Sequence, residues 1–125
     1  MSYSSSQPDP TVSRAPFFAS GTVSNGAAVT ITLPSVSDQI VVQCTSNAGT
    51  STAVLLVGVT TGGVAATERI GLTAGAQLAA DVKLKQIVLG GGGADMGYQV
   101  FCVLSRTASA DYPDITAANG FSGVE

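Results

Sequence analysis

The groups that could do chemistry in this sequence are few, and one type is missing. None of the 125 residues is histidine, so the side chain that most often serves as a general base near neutral pH is absent. Neither a Ser-His-Asp nor a Cys-His arrangement can be assembled. Cys44 and Cys102 lie outside any CxxC pattern, and two thiols without histidine are too few ligands for zinc. The carboxylates are Asp9, Asp38, Glu68, Asp81, Asp95, Asp111, Asp114 and Glu125, and no two form a DxD-type calcium loop. The densest pair, Asp111-Tyr112-Pro113-Asp114, could touch a metal or a sugar. Asp and Pro are also ordinary turn residues, and a solvated turn accounts for the motif. In Gly90-Gly91-Gly92-Gly93 a phosphate loop is not available, because Ala94-Asp95-Met96 follows where Gly-Lys-Ser/Thr is required. The run predicts a flexible hairpin loop whose tip can mould onto a neighbour. No catalytic, metal or cofactor site is expected, and the chain reads as non-enzymatic.

Composition points the same way. Hydrophobic residues make up 45% of the chain, enough for a core, but charged residues make up only 10%, against about 25% in a typical soluble domain. A surface of Ser, Thr, Gly, Ala and Gln suits burial in an assembly, since interface cores are depleted of charge. A modestly soluble monomer with a bland polar coat is the competing reading. The net charge is −3, and Arg14, Arg69, Lys83, Lys85 and Arg106 are scattered apart from one pair. No basic stripe exists to neutralise phosphates, so no nucleic-acid partner is expected. The longest apolar run, Ala53 to Val57, is far short of the ~20 residues of a membrane-spanning helix. Met1–Ser6 lacks the basic and apolar regions of a signal peptide, so synthesis in a cytoplasm is expected. Cys44 and Cys102 then read as two buried thiols acting as small hydrophobes. A disulfide between facing sheets is the alternative, disfavoured in a reducing compartment.

The elements that must position these groups are strands. Ala27–Leu33 alternates apolar and hydroxyl residues, with Val29, Ile31 and Leu33 facing a core. Asn25-Gly26 before it is a hairpin turn signal, and Pro34 stops the ladder. Gln39–Thr45 places Ile40, Val42 and Cys44 on one face. Asn47-Ala48-Gly49 is a turn, Thr52–Val59 an apolar central strand, and Thr61-Gly62-Gly63 a break. Ala65–Leu72 is a weaker strand carrying Glu68 and Arg69, ended by Ala74-Gly75. Leu78–Leu89 holds two apolar phases, Val82 and Leu84 against Ile87 and Leu89, which a bulge or bend near Lys85-Gln86 would reconcile. A helix over Ala76–Lys85 competes, since Gln, Leu, Ala and Lys are good helix formers. Asp81, Lys83 and Lys85 share one face of the strand, either to meet a charged partner or to guard an edge. Tyr98–Leu104 puts Tyr98, Val100, Cys102 and Leu104 on one face. The pattern predicts an all-β chain with a single antiparallel β-sandwich over residues 17–105, jelly-roll-like or alternatively immunoglobulin-like. An N-terminal arm over 1–16 and a C-terminal arm over 106–125 flank it.

The immunoglobulin comparison is poor: the chain has no tryptophan, and Val100 rather than tyrosine stands two residues before Cys102. A second pattern runs Ile31-Thr32-Leu33-Pro34, Asp38-Gln39-Ile40-Val41-Val42, Leu72-Thr73-Ala74-Gly75-Ala76-Gln77, Asp81-Val82-Lys83-Leu84-Lys85-Gln86-Ile87, Tyr98-Gln99-Val100 and Leu104. Over residues 20–105 it resembles the small virion proteins of tailed phages that decorate or cement the capsid. The resemblance implies a site on the outer capsid surface, with the major capsid protein and further copies of the chain as partners and a trimer as the favoured oligomer. The arms would cross subunit boundaries. Phe17, Phe18, Tyr112, Ile115 and Phe121 are the aromatic and apolar anchors expected at such an interface, with Lys83 and Lys85 as its charged contacts. The alternative is an immunoglobulin-like or carbohydrate-binding surface module of a phage head, tail or fibre.

Overall fold

A computed structural model describes residues 15–124. Among these residues, eight strands form two four-stranded antiparallel sheets: β1 (Ala15–Val23), β2 (Ala28–Thr32), β3 (Ser35–Ser46), β4 (Val54–Gly58), β5 (Ile70–Leu72), β6 (Gln77–Ala80), β7 (Gln86–Gly92) and β8 (Met96–Ala108). The first sheet has the order β1-β8-β3-β6 and the second β2-β7-β4-β5. β1 pairs with β8, β2 with β7, β3 with β6 and β4 with β5. This nesting is one long hairpin folded over so that β3 also meets β8 and β4 meets β7. Only β4 and β5 are consecutive strands within a sheet; every other connection crosses the sandwich. This is the jelly-roll arrangement, and it rules out the immunoglobulin-like order.

The alternating positions read from sequence supply the core. Val29 and Ile31 are half-buried against it and Leu33 is fully buried. Ile40, Val42 and Cys44 of β3 and Tyr98, Val100, Cys102 and Leu104 of β8 line the inner face of the first sheet. They pack with Leu55, Val57, Leu72, Ile87 and Leu89 of the second. Both cysteines are free and buried. Cys44 lies opposite Tyr98, four residues along the ladder from Cys102. At about 3.3 Å per residue that is ~13 Å, beyond disulfide reach, and the two thiols belong to one sheet rather than to facing sheets.

Several local expectations are corrected. Asn25-Gly26 does turn the chain, with Ala27 N–H donating to Ser24 O at 3.0 Å, but β1 and β2 belong to different sheets, so the turn is a corner and not a hairpin. The glycine run is mostly strand: Gly90, Gly91 and Gly92 belong to β7, and only Gly93, at φ 112°, makes the turn. The reason is close packing. A Cβ on Gly90 would lie 2.8 Å from Val64 Cγ1, and one on Gly91 would strike the Ser24 carbonyl. Val64 belongs to a short helix, α1 (Thr61–Ala65), which replaces the break expected at Thr61-Gly62-Gly63. Thr60 caps it, its Oγ1 accepting from Gly63 N–H at 2.8 Å. The strand expected over Ala65–Leu72 shrinks to β5, because α1 and the following loop use its first half.

No helix forms over Ala76–Lys85. β6 ends at Ala80 in the first sheet and β7 begins at Gln86 in the second, so the two apolar phases mark a crossing and not a bulge. Asp81, Lys83 and Lys85 therefore do not share a strand face. Ser37, with no exposed surface, pins the crossing: its Oγ donates to Val82 O at 2.6 Å and accepts from Leu84 N–H at 2.9 Å. The C-terminal segment lies back on its own sandwich. Ser109 Oγ donates to Leu33 O at 2.6 Å, Ile115 packs on the core, and Val124 O accepts from Thr60 Oγ1 at 2.6 Å. β1 begins at Ala15, inside the expected N-terminal arm, and residues 1–14 of that arm fall outside the described residues.

Candidate functional site

The two outer faces of the sandwich differ. On the second sheet, Val64 of α1 sits over Gly58 and Gly90, and the end of the C-terminal segment reaches Thr60 and Gly63. The outer face of the first sheet has no such cover among the described residues. Its composition follows from the alternation that builds the core. Once Phe17, Val100, Ile40 and Leu78 turn inward, their neighbours Phe18, Phe101, Val41 and Ala79 turn outward.

These outward residues are in register across all four strands. Phe18 lies opposite Phe101, Phe101 opposite Val41, and Val41 opposite Ala79. The next row is Ser20, Gln99, Gln43 and Gln77, and on the other side stand Pro16, Val103 and Gln39. An apolar stripe thus crosses the sheet between two rows that carry no ionised side chain. The Phe18 and Phe101 rings are 5.1 Å apart at 47°, within the range of favourable tilted aromatic pairs. Phe18 remains 72% exposed. A shallow concavity of about 500 Å³ lies here, lined by Phe18, Ser20, Val41, Gln43, Gln99 and Phe101.

The anchors expected from sequence do not converge. Phe17 and Phe18 are on opposite faces of β1, Phe17 half-buried against the core and Phe18 outward. Lys85, Tyr112 and Ile115 come together at the β6–β7 crossing, where Lys85 Nζ donates to Tyr112 O at 2.9 Å and pairs with Asp114 at 2.7 Å. Lys83 pairs with Asp38 beside them. Phe121 is half-buried in the C-terminal segment. Sequence reasoning missed Phe101, Val41, Gln43, Gln77 and Gln99. Their outward parity was readable from the core-facing alternation, but their alignment into rows depends on which strands are neighbours.

Among the described residues no cluster of three metal-ligating side chains occurs, and no helix is long and apolar enough to cross a membrane. Burial pushes the Cys102 thiol up to about 11, which keeps it protonated and a poor nucleophile. What fold and face define is a jelly-roll domain with one sheet surface that is uncovered and uncharged among the described residues. No protein-family model, curated protein or solved structure matches the chain.

Proposed function

We propose that the chain is a non-enzymatic structural virion protein that decorates or cements a phage capsid, packing on the major capsid protein and on its own copies. The observation that carries this reading is the uncharged outer face of the first sheet, with the row Phe18–Phe101–Val41–Ala79 at its centre. An exposed apolar patch framed by polar residues is the usual mark of a protein-binding surface. The jelly roll is an architecture that capsid domains share with lectins. Docking would bury Phe18 as the central anchor, with the glutamine rows forming the polar rim. A specific contact needs about 800 Å² per partner, and repetition over a shell multiplies a modest affinity.

The test is co-sedimentation of the tagged chain with purified particles of the phage whose genome carries its gene. The wild type should pellet with the particles, and a Phe18→Ser/Phe101→Ser variant with unchanged circular dichroism should stay in the supernatant. A folded wild-type chain that never pellets with them overturns the proposal.

A second reading, a carbohydrate-binding surface module, is favoured by one observation. The concavity combines two phenyl rings with the carboxamides of Gln43 and Gln99, apolar and hydrogen-bonding surfaces of the kind a neutral sugar requires. Saturable binding on a glycan array, lost in Gln43→Ala/Gln99→Ala, would favour it over the structural reading.

A further inference from the structure

The first sheet has two edges, and they are not alike. β6 is four residues long and runs into Asp81. β1 is nine residues long, carries no ionised side chain from Ala15 to Val23, and pairs only with β8 among the described residues. The edges of the second sheet are also short, five residues in β2 and three in β5. Proteins guard exposed edges by making them short, charged or interrupted, and β1 past Pro16 has none of these protections.

The main-chain groups that β1 leaves unpaired follow from two independent observations. Pro16 lies opposite Val103 and has no N–H, so that position cannot be a hydrogen-bonded pair. By alternation Phe18, Ser20 and Thr22 also turn their N–H and C=O groups away from β8. From the other side of the sheet, Cys44 N–H donates to Ala76 O and Cys44 O accepts from Gly75 N–H, both toward β6. Val41 and Gln43 therefore bond toward β8, to Phe101 and Gln99. Phe101, committed to β3, has no main-chain group left for Phe18. Both routes place the N–H and C=O groups of Phe18, Ser20 and Thr22 on the open edge.

We infer that this edge joins two copies of the chain, β1 pairing antiparallel with β1 of a second copy so that the two first sheets become one continuous sheet. The occupant follows from complementarity. A run of alternating donors and acceptors is matched by the same run turned through a two-fold axis, and no charge on β1 opposes the approach. Pro16 confines the new ladder to the Phe18–Thr22 stretch. In that register Ser20 faces the partner's Ser20 and Phe18 faces the partner's Thr22, so the two uncharged faces join side by side into one larger face. This deepens the structural reading above, to which it adds a two-fold pair in place of the trimer favoured by resemblance.

The experiment uses the full 125-residue chain. Sedimentation equilibrium should show mass rising from monomer to dimer with concentration. Amide exchange should show Phe18, Ser20 and Thr22 gaining protection as the dimer forms, while Phe17 and Ala19, bonded to β8, are protected throughout. Ser20→Pro removes an outward N–H without touching the β8 ladder and should abolish both changes; Ser20→Lys should do the same if the proline variant folds poorly. A chain that stays monomeric up to about 1 mM, where even a Kd of that order would register, overturns the inference, as does a trimer. Dimerisation without particle binding would instead sink the capsid reading and leave the pairing intact, and particle binding by a strict monomer would do the reverse.

Discussion

Cys102 has no exposed surface, and burial raises its thiol from 9.0 to about 11, because the interior disfavours the thiolate. The sign of the linkage follows. The folded chain holds this proton more tightly than the unfolded chain, so the stabilisation is complete below pH 9 and is lost as pH rises toward 11. Urea midpoints should fall across that window, and Cys102→Ala should flatten this part of the fall; a flat wild-type profile would contradict it. At pH 8 a disulfide reagent should leave Cys44 and Cys102 unmodified in the native chain and titrate both after unfolding. The burial of the two thiols was legible from their place in alternating strands. The packing role of Gly90 was not, since Val64, which fills the space a Cβ would need, is 26 residues away in sequence.

At the scale of elements, the decisive feature is the passage from β6 to β7. Ser37 of β3 holds both the Val82 carbonyl and the Leu84 N–H, so one buried hydroxyl satisfies two main-chain groups where the ladder is interrupted. Ser37→Ala removes both bonds and leaves buried polar groups unpaired, a loss of about 1–3 kcal/mol. Chemical denaturation should show it as a shifted midpoint at constant slope, and a change under 0.5 kcal/mol would contradict the account. The Lys85–Asp114 pair nearby, with its aspartate 73% exposed, should matter far less. The strands themselves were readable from period-two alternation. The crossing was not, because a switch of sheet and a bulge leave the same phase change in sequence. Glycines in β7 imitated a loop for a related reason: the sequence shows absent side chains, not the neighbours that occupy their space.

For the molecule as a whole, low charge is partitioned unevenly. Lys83, Lys85, Asp38, Asp81 and Asp114 gather around the β6–β7 crossing and the C-terminal segment, and the outer face of the first sheet has no charge in its central rows. Placing charges there, as in Gln99→Lys/Val41→Lys, should suppress particle retention while leaving pairing through the β1 edge intact. Folding stability should shift by no more than about 0.5 kcal/mol at exposed Gln99 and by about 1 kcal/mol at half-buried Val41. Thermal melts together with co-sedimentation check both halves. A stable double variant that is retained on particles as before would show that the face is not used.

By itself the chain's sequence determined the class of fold, most of its strands, the inward faces of β3 and β8 with the burial of their two thiols, and the scarcity of charge. All of these rest on local alternation and composition, which act over a few residues. Tertiary structure alone decided which strands are neighbours. It thereby chose the jelly roll over the immunoglobulin order, turned the glycine run into a packed strand, and aligned Phe18, Phe101, Val41 and Ala79 into one row. It also left β1 with one edge unpaired among the described residues. Pairing between strands distant in sequence comes from burying two hydrophobic faces against each other, and no single strand carries a record of its partner.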